Sequence, residues 1–200
     1  MDMKYFPKAE QNTSEWSGGT TTELYLYPPD GNYGERRFKV RLSTAVCRDE
    51  TSVFTKLPDT ERILMVLDGA VELCHENGRT VKLYPSDQDA FSGGEKTVSH
   101  GVCQDFNLML RENADGSLEY ISLEAGEKKA MNRKEDVLGV YLLRGKLGVS
   151  CGKENAEMEA GDFLLLDTGD AGNERNEKTE LAAPESCVFV LAHIMIKSNS

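Results

Sequence analysis

The stretch Val66-Leu-Asp-Gly-Ala-Val-Glu-Leu73 is similar to Leu142-Leu-Arg-Gly-Lys-Leu-Gly-Val149, which lies 76 positions further along the chain. Each stretch consists of two short apolar runs on either side of a central glycine, Gly69 in the first and Gly145 in the second. Apolar runs of this length with a glycine between them are typical of a β-hairpin. Their similarity indicates that one strand–turn–strand unit occurs twice.

A second matching element follows each stretch. Leu83-Tyr-Pro-Ser-Asp87 ends 18 positions after Gly69, and Met158-Glu-Ala-Gly-Asp162 ends 17 positions after Gly145. Nearly equal spacing of two elements strengthens the inference of a repeat. We therefore predict that the chain consists of two related halves.

The sequence between these elements has the pattern of antiparallel strands. Phe38, Val40 and Leu42 alternate with polar residues, and glycine or aspartate punctuates the apolar runs roughly every 8 to 12 residues, as expected for sandwiches and barrels. Helical periodicity is scarce, and 124–136 is either a short helix or a linker between the halves. We predict an all-β chain with domains at 1–123 and 124–200. The segment 169–179, rich in Gly, Asn and charge, is expected to be a solvated hairpin loop.

Charge and cysteine usage exclude several classes of protein. Lys and Arg number 23 against 34 Asp and Glu, and the resulting net charge of −11 disfavours nucleic acid and anionic membrane surfaces as partners. The longest apolar run, 187–192, is too short to span a bilayer, and the sequence start lacks a hydrophobic signal region, so we expect a cytoplasmic protein.

Five cysteines, none closer than 27 positions to the next, predict packed free thiols rather than a zinc knuckle or a disulfide framework.

Four motifs resemble, in the same order, those of the HutD/Ves family of the cupin superfamily. The motifs are Gly19-Thr-Thr-Thr-Glu-Leu24, Arg41-Leu-Ser-Thr-Ala45, Phe54-Thr-Lys-Leu-Pro-Asp-Thr-Glu-Arg62 and Asp105-Phe-Asn-Leu-Met109. The resemblance implies a bicupin, with two jelly-roll-like antiparallel β-barrels in one chain. It also implies a link to histidine utilisation or stress response in bacteria and a regulatory, small-molecule-binding role. By analogy with the family, the ligand is a formylated or acidic intermediate of histidine breakdown.

The residues at the cupin metal positions predict that neither half binds a metal there. Metal-binding cupins use a His-x-His pair, a glutamate shortly after it and a later histidine. The resemblance places the glutamate position at Arg62 in the first half and at Leu138 in the second. The three histidines, His75, His100 and His193, are isolated in the sequence. No cofactor is expected.

Arg62 is then the central candidate for a binding site. An arginine keeps its charge inside a fold and must find an anion, either an internal carboxylate or a bound carboxylate ligand. Strand alternation places Asp105, Asn107 and Met109 on one face, where the first two could orient the guanidinium. Arg41 and Ser43 likewise share a strand face, which lines a cavity or meets solvent.

Three further residues complete the candidate ligand-binding set. Thr21 and Glu23 lie on the same face of one strand, and Glu23 is a possible acidic partner for Arg41 or Arg62. Trp16, the sole tryptophan, belongs either to the core or to the pocket lining.

The sequence supports three functional hypotheses. The first, which it favours, is a non-enzymatic protein whose N-terminal barrel binds a small carboxylate or polar metabolite. The second is a metal-independent isomerase or lyase that uses Glu23 or Asp105 as general base. The third is a structural role in which the apolar C-terminal half forms a homodimer.

Overall fold

The computed structural model describes residues 2–167 and 178–197. Within them the regular structure is almost entirely β-strand, with a single turn of 3-10 helix at Lys8–Glu10. The prediction of an all-β chain is therefore confirmed. None of the described residues forms a helix with the length and hydrophobicity needed to cross a bilayer.

The described residues form two compact units, one made of Asn12–Asp115 and Lys197 and the other of residues 2–11 and Gly116–Ile196. We call them the cavity unit and the apolar unit. The strands of the cavity unit are β2 (Asn12–Trp16), β3 (Gly19–Tyr27), β4 (Val40–Cys47), β5 (Thr51–Val53), β6 (Thr60–Gly69), β7 (Val71–His75), β8 (Thr80–Leu83), β9 (Gln88–Ser92), β10 (Thr97–His100) and β11 (Cys103–Arg111). Those of the apolar unit are β1 (Asp2–Phe6), β12 (Ala114–Leu123), β13 (Lys128–Asn132), β14 (Val137–Arg144), β15 (Lys146–Cys151), β16 (Glu154–Glu159), β17 (Phe163–Asp167), β18 (Lys178–Ala182) and β19 (Cys187–Ile196).

The two units share one strand order. Sheets with the orders β4-β11-β6-β9 and β5-β10-β7-β8 in the cavity unit correspond to β12-β19-β14-β17 and β13-β18-β15-β16 in the apolar unit. Each strand number in the second set is eight higher than its counterpart in the first. The hairpin β2–β3 extends one of these sheets beside β4, and β1 extends the corresponding sheet beside β17. This correspondence is what the repeat in the sequence predicts.

Each core lies between the two sheets of its unit. In the cavity unit, Leu64 and Val66 of β6 pack with Leu73 of β7 and Leu83 of β8. In the apolar unit, Leu138 and Leu142 of β14 belong to one buried cluster with Leu147 and Val149 of β15. Two packed antiparallel sheets with an apolar inner face are the arrangement of a jelly roll.

The repeat aspartates have the same local role. The carboxylate of Asp87 accepts a hydrogen bond from the backbone N–H of Tyr84 at 2.9 Å. That of Asp162 accepts one from the backbone N–H of Glu159 at 2.7 Å. In both cases the aspartate closes a turn on the residue three positions before it, so the repeated pattern encodes a repeated turn.

Two expectations about the chain's organisation differ from the structure. Residues 2–6 pair with β17 in the register Asp2↔Asp167 to Phe6↔Phe163, so this strand lies in the apolar unit rather than in the predicted domain 1–123. The segment 124–136 contains β13 rather than a helix, because pairing with β18 lets Met131 pack on the core. Of the predicted loop 169–179, residues 169–177 lie outside the described part, and Lys178 and Thr179 begin β18.

The repeat glycines lie where two strands approach closely. Gly69 and Gly145 have φ of +77° and +79°. A Cβ at Gly69 would lie 2.4 Å from the Val102 carbonyl oxygen, and one at Gly145 would lie 2.3 Å from that of Ser186. Glycine is required at both positions because a side chain meets backbone strain and a backbone clash together.

We expect Gly69→Ala and Gly145→Ala each to lower the free energy of unfolding by about 3 kcal/mol or more, since strain and overpacking add. Gly78→Ala is the control, because Gly78 has φ of +88° but no atom within 4 Å of the added Cβ. It should cost only about 1 kcal/mol. Urea unfolding at 25 °C measures all three, and equal losses would contradict the role of the close approach.

Candidate ligand-binding site

The cavity unit contains a cavity of about 320 Å³, lined mainly by β4 and β11, with further residues from β2, β3, β5 and β6 and from segments between strands. We call it the Arg62 cavity. Seven of the eight residues singled out from the sequence line it, namely Trp16, Thr21, Arg41, Ser43, Arg62, Asp105 and Asn107. The eighth, Glu23, is held against Arg41. Their placement agrees with the strand faces assigned by alternation, while their role in binding stays a prediction.

Strand register arranges these residues in rows. Met109 of β11 lies opposite Arg41 on one neighbouring strand and Arg62 on the other. Two residues along, Asn107 lies opposite Ser43. Because neighbouring strands are about 4.8 Å apart, the two arginine backbones are separated by roughly 10 Å, with Met109 between them.

Arg62 is buried and donates from Nη2 to Asn107 Oδ1 at 2.8 Å. Its guanidinium lies against the rings of Phe54 and Phe91, with Cζ 4.7 and 5.4 Å from their centroids. Its Nε has no hydrogen-bond partner, and no ion pair joins Arg62 to a carboxylate among residues 2–167 and 178–197. Burial lowers the pKa of Arg62 to about 10, so it is a cation at neutral pH. The positive charge of Arg62 is thus stabilised by a hydrogen bond to the Asn107 amide and by contact with the rings of Phe54 and Phe91.

Asp105 lies beyond that amide. Asn107 donates from Nδ2 to Asp105 Oδ1 in a short hydrogen bond, and Asp105 Oδ2 lies 3.8 Å from the Cys47 sulfur. Burial raises the pKa of Asp105 to about 7, although the charge of Arg62 and the hydrogen bonds from Asn107 and Cys47 oppose the shift. The carboxylate is therefore linked to Arg62 only through Asn107.

Arg41, unlike Arg62, has an internal acidic partner. Its Nε donates to Glu23 Oε2 at 2.9 Å, and its Nη1 donates to Ser43 Oγ at 3.0 Å. The guanidinium also lies over the ring of Tyr33, with Cζ 4.1 Å from the centroid. Of the two partners considered for Glu23, the structure selects Arg41.

Trp16 lies on the exposed side of the cavity, with 39% of its surface accessible. Its Nε1 donates to Thr21 Oγ1 at 3.1 Å, and its ring packs against Gly18. Of the two roles considered for this residue, the structure favours pocket lining.

Several wall residues were not singled out from the sequence. Tyr33 comes from the segment between β3 and β4, and Phe54 follows β5, where no periodic pattern assigns a side-chain direction. Cys47 had a usable signal, because it continues the two-residue spacing of Arg41 and Ser43 on β4. Extending the alternation by four residues would have placed it on the same wall.

The residues do not fit the metal site of the cupins. Arg62 stands where the resemblance places a carboxylate ligand, and a guanidinium has no lone pair to offer a cation. None of the described residues lining the cavity is a histidine. His75 is bonded to Asp89 and Thr97, His100 is exposed, and His193 lies beside Glu119 and Glu135.

The duplicated two-sheet units, one of them with a cavity on its inner faces, define a bicupin. Solved structures of this fold include PA5104, a conserved protein of unknown function from Pseudomonas aeruginosa PAO1. It is 20% identical, with a TM-score of 0.83 over 98% of this chain and 100% of the other. The bacterial pirin YhhW from Escherichia coli, in complex with nickel(II), is 9% identical, with a TM-score of 0.71 over 98% of this chain and all of the other.

The family follows from the sequence match. HutD from Pseudomonas fluorescens SBW25 is 19% identical, with a TM-score of 0.73 over 98% of this chain and 100% of the other. The HutD family model matches residues 8–186, and the chain belongs to the HutD family. A search of the curated proteins gives no match.

The raised pKa of Asp105 predicts a specific dependence of stability on pH. Because its pKa is about 7 in the folded protein and 3.8 ordinarily, the folded state binds the proton more tightly. Its contribution is therefore fully present below pH 3.8 and is lost as pH rises through about 7. Relative to Asp105→Asn, the wild type should lose on the order of 4 kcal/mol of unfolding free energy across that window.

Urea unfolding of both proteins at several pH values between 4 and 8, in buffer with a chelator, measures the difference. Asp68→Asn is the control, since Asp68 is exposed at the end of β6. A constant difference between wild type and Asp105→Asn across the range would contradict the burial of an ionisable carboxyl group.

Proposed function

We propose that this protein is a metal-independent cupin, in the sense that no metal at the cupin metal position takes part in ligand binding. It binds a small carboxylate metabolite in the Arg62 cavity, as a sensor or regulator rather than as an enzyme. By the family resemblance, its setting is histidine utilisation or stress response. The Arg62 guanidinium carries this proposal, because it is a buried cation on a cavity wall without a paired carboxylate.

The surroundings of Arg62 suit a planar anion. Phe54 and Phe91 contact the guanidinium, and Asn107 fixes Nη2, so its orientation is set before a ligand arrives. A carboxylate matches the fork of guanidinium N–H groups and forms charge-assisted hydrogen bonds with it. Preorganisation of this kind reduces the entropy lost on binding.

Arg41 supplies a second positive charge on the same wall. Arg41 forms an ion pair with Glu23, so the net charge of these two side chains is close to zero. The uncompensated positive charge on this wall is therefore that of Arg62. The guanidinium of Arg41 also opposes the charged form of Arg62. A bound anion would offset this repulsion, whereas a cationic ligand would add to it.

The size of the cavity limits the ligand. At about 30 Å³ per water molecule, 320 Å³ holds roughly ten waters. The ligand is therefore a small metabolite of comparable size. Formate is a reasonable first probe, because the HutD structure from P. fluorescens SBW25 is described as a formate condition.

Ligand binding is measured most directly by fluorescence of Trp16, the sole tryptophan, which lines the cavity. We expect formate, small dicarboxylates or acids of histidine breakdown to change its emission saturably. A ligand at a hundredfold excess over its dissociation constant should also stabilise the fold by about 2.7 kcal/mol. Arg62→Gln should weaken binding roughly tenfold to a hundredfold, because a charge-assisted pair is lost.

Arg48→Gln is the matched control, since Arg48 is exposed just beyond the end of β4. Arg62→Met serves as a second variant, because methionine retains an apolar contact with the two phenylalanine rings. Chloride at equal ionic strength controls for non-specific salt effects. A panel that shifts neither fluorescence nor thermal unfolding of the wild type, or shifts Arg62→Gln equally, would refute carboxylate binding at this residue.

A metal-independent isomerase or lyase is the second candidate function, favoured by the position of one carboxylate. Glu23 is bonded to Arg41, whereas Asp105 lines the cavity and is the better placed of the two proposed bases. An enzyme of this kind would exchange carbon-bound protons of its substrate with solvent deuterium.

Proton NMR in D₂O with the same carboxylate panel distinguishes the two functions. We expect no loss of carbon-bound proton signal beyond that in a protein-free sample, because a binding protein leaves those bonds intact. Asp105→Asn is the control for any exchange observed. Signal loss that requires wild-type protein and disappears in Asp105→Asn would favour the enzyme.

A further inference from the structure

Two thiols and a carboxylate lie close together beside the Arg62 cavity, which Cys47 and Asp105 line. Cys103 lies directly opposite Cys47 across the β4–β11 pair, and Asp105 follows Cys103 by two residues on the same face. A sulfur from each cysteine and a carboxylate oxygen of Asp105 all lie within 4.8 Å of one another. All three side chains are buried.

The positions of these atoms are set by the sheet. Each residue is within a regular strand of the six-stranded sheet, so the backbone positions do not depend on a loop. The pairing of β11 with β6 shifts register between Gln104 and Asp105. The extra residue is Leu67 on β6, whereas the β4–β11 pairing is regular, and irregularities of this kind are over-represented next to functional sites.

The carboxylate is already oriented toward the sulfurs. Asn107 donates to Asp105 Oδ1, which leaves Oδ2 to face Cys47 at 3.8 Å. Arg62 in turn holds the oxygen of Asn107 at 2.8 Å. Hydrogen bonds that fix a ligating carboxylate from behind are a regular feature of protein metal sites.

We propose that Cys47, Cys103 and Asp105 bind one thiophilic divalent cation, with zinc as the best match. Zinc is bound at about 2.3 Å by thiolate and about 2.0 Å by carboxylate oxygen, and small side-chain adjustments bring the three donor atoms to those distances. Cys47 and Asp105 also line the cavity, so a fourth position opens toward it. Three protein ligands with one open position is the arrangement of a reactive zinc site rather than a closed structural one.

Charge balance favours a cation over a disulfide between the two cysteines. Two thiolates and a carboxylate carry three negative charges, which a divalent cation reduces to one, and Arg62 lies on the far side of Asn107. A disulfide would remove the hydrogen bond from the Cys47 thiol and leave Asp105 with the hydrogen bond from Asn107. Metal binding would displace the thiol protons, because cysteine ligates a metal as the thiolate.

Cobalt(II) is the probe, because thiolate ligation gives it a sulfur-to-metal charge-transfer band and tetrahedral geometry gives it intense visible bands. Titration of the full-length protein, first stripped with a chelator, should saturate at one cobalt per chain, and zinc should abolish the bands by displacement. Cys47→Ser and Cys103→Ser should each remove or strongly weaken the charge-transfer band. Cys74→Ser is the matched control and should retain it, since Cys74 lies on β7 outside the cluster.

Asp105→Asn keeps both thiols and nearly the same shape, so it tests the site where a cysteine variant fails to fold. It should weaken cobalt affinity at least tenfold while leaving some sulfur-to-metal absorption. Absence of the band in the wild type, or its persistence in either cysteine variant, would overturn the proposal. So would a count of three rather than five reactive thiols in denatured protein prepared without reductant, because it would indicate a disulfide.

The outcome is separable from carboxylate binding. Fluorescence titration with carboxylates is carried out on chelator-treated protein, so the Arg62 site is measured without metal. Loss of cobalt binding would then leave the proposed function intact, and loss of carboxylate binding would leave the metal site intact.

Discussion

A guanidinium buried without a facing carboxylate is the constraint around which the cavity unit is arranged. Removing a charge from water is costly unless hydrogen bonds and nearby charges compensate for it. Here the compensation for Arg62 is distributed over Asn107, which bonds it, and over Phe54 and Phe91, whose rings contact it. The carboxylate of Asp105 is hydrogen-bonded to Asn107 and does not contact Arg62 through a hydrogen bond of its own. The positive charge of Arg62 is therefore only partly compensated by other residues of the protein, and the cavity wall carries an excess positive charge at this residue.

The position that Arg62 occupies in the cavity unit has a different kind of residue in the apolar unit. Seven residues before Gly145 lies Leu138, which is fully buried in the core of the apolar unit. In the cavity unit that place belongs to Arg62. The strand order tolerates either side chain, because pairing between backbones defines the sheets while the inner face decides between a polar cavity and an apolar core. Duplication thus gives two units of the same strand order whose inner faces differ in polarity at this position.

Much of this arrangement was predictable because period-two alternation fixes side-chain direction on a strand. It placed Arg41 with Ser43, and Asp105 with Asn107, on shared strand faces, but it left open whether those faces meet the cavity or solvent. The spacing of Gly69 and Asp87 identified the repeat. Contacts between residues far apart in the sequence were not predictable, because they depend on which strands pair and in which register. Sequence spacing treated Cys47 and Cys103 as isolated thiols, yet antiparallel register makes them direct neighbours. Tyr33, which lies between strands, had no periodicity to indicate its direction.

The pairing of β1 with β17 has a consequence for biosynthesis. The paired residues are 157 to 165 positions apart, from Phe6↔Phe163 to Asp2↔Asp167. At about 5–20 residues per second, a ribosome takes roughly 10 to 30 s to supply the partner after the first strand has been made. All strands of the cavity unit, by contrast, lie within the continuous stretch Asn12–Asp115. All residues that line the Arg62 cavity, from Ser14 to Met109, are therefore translated before β17, the strand with which β1 pairs.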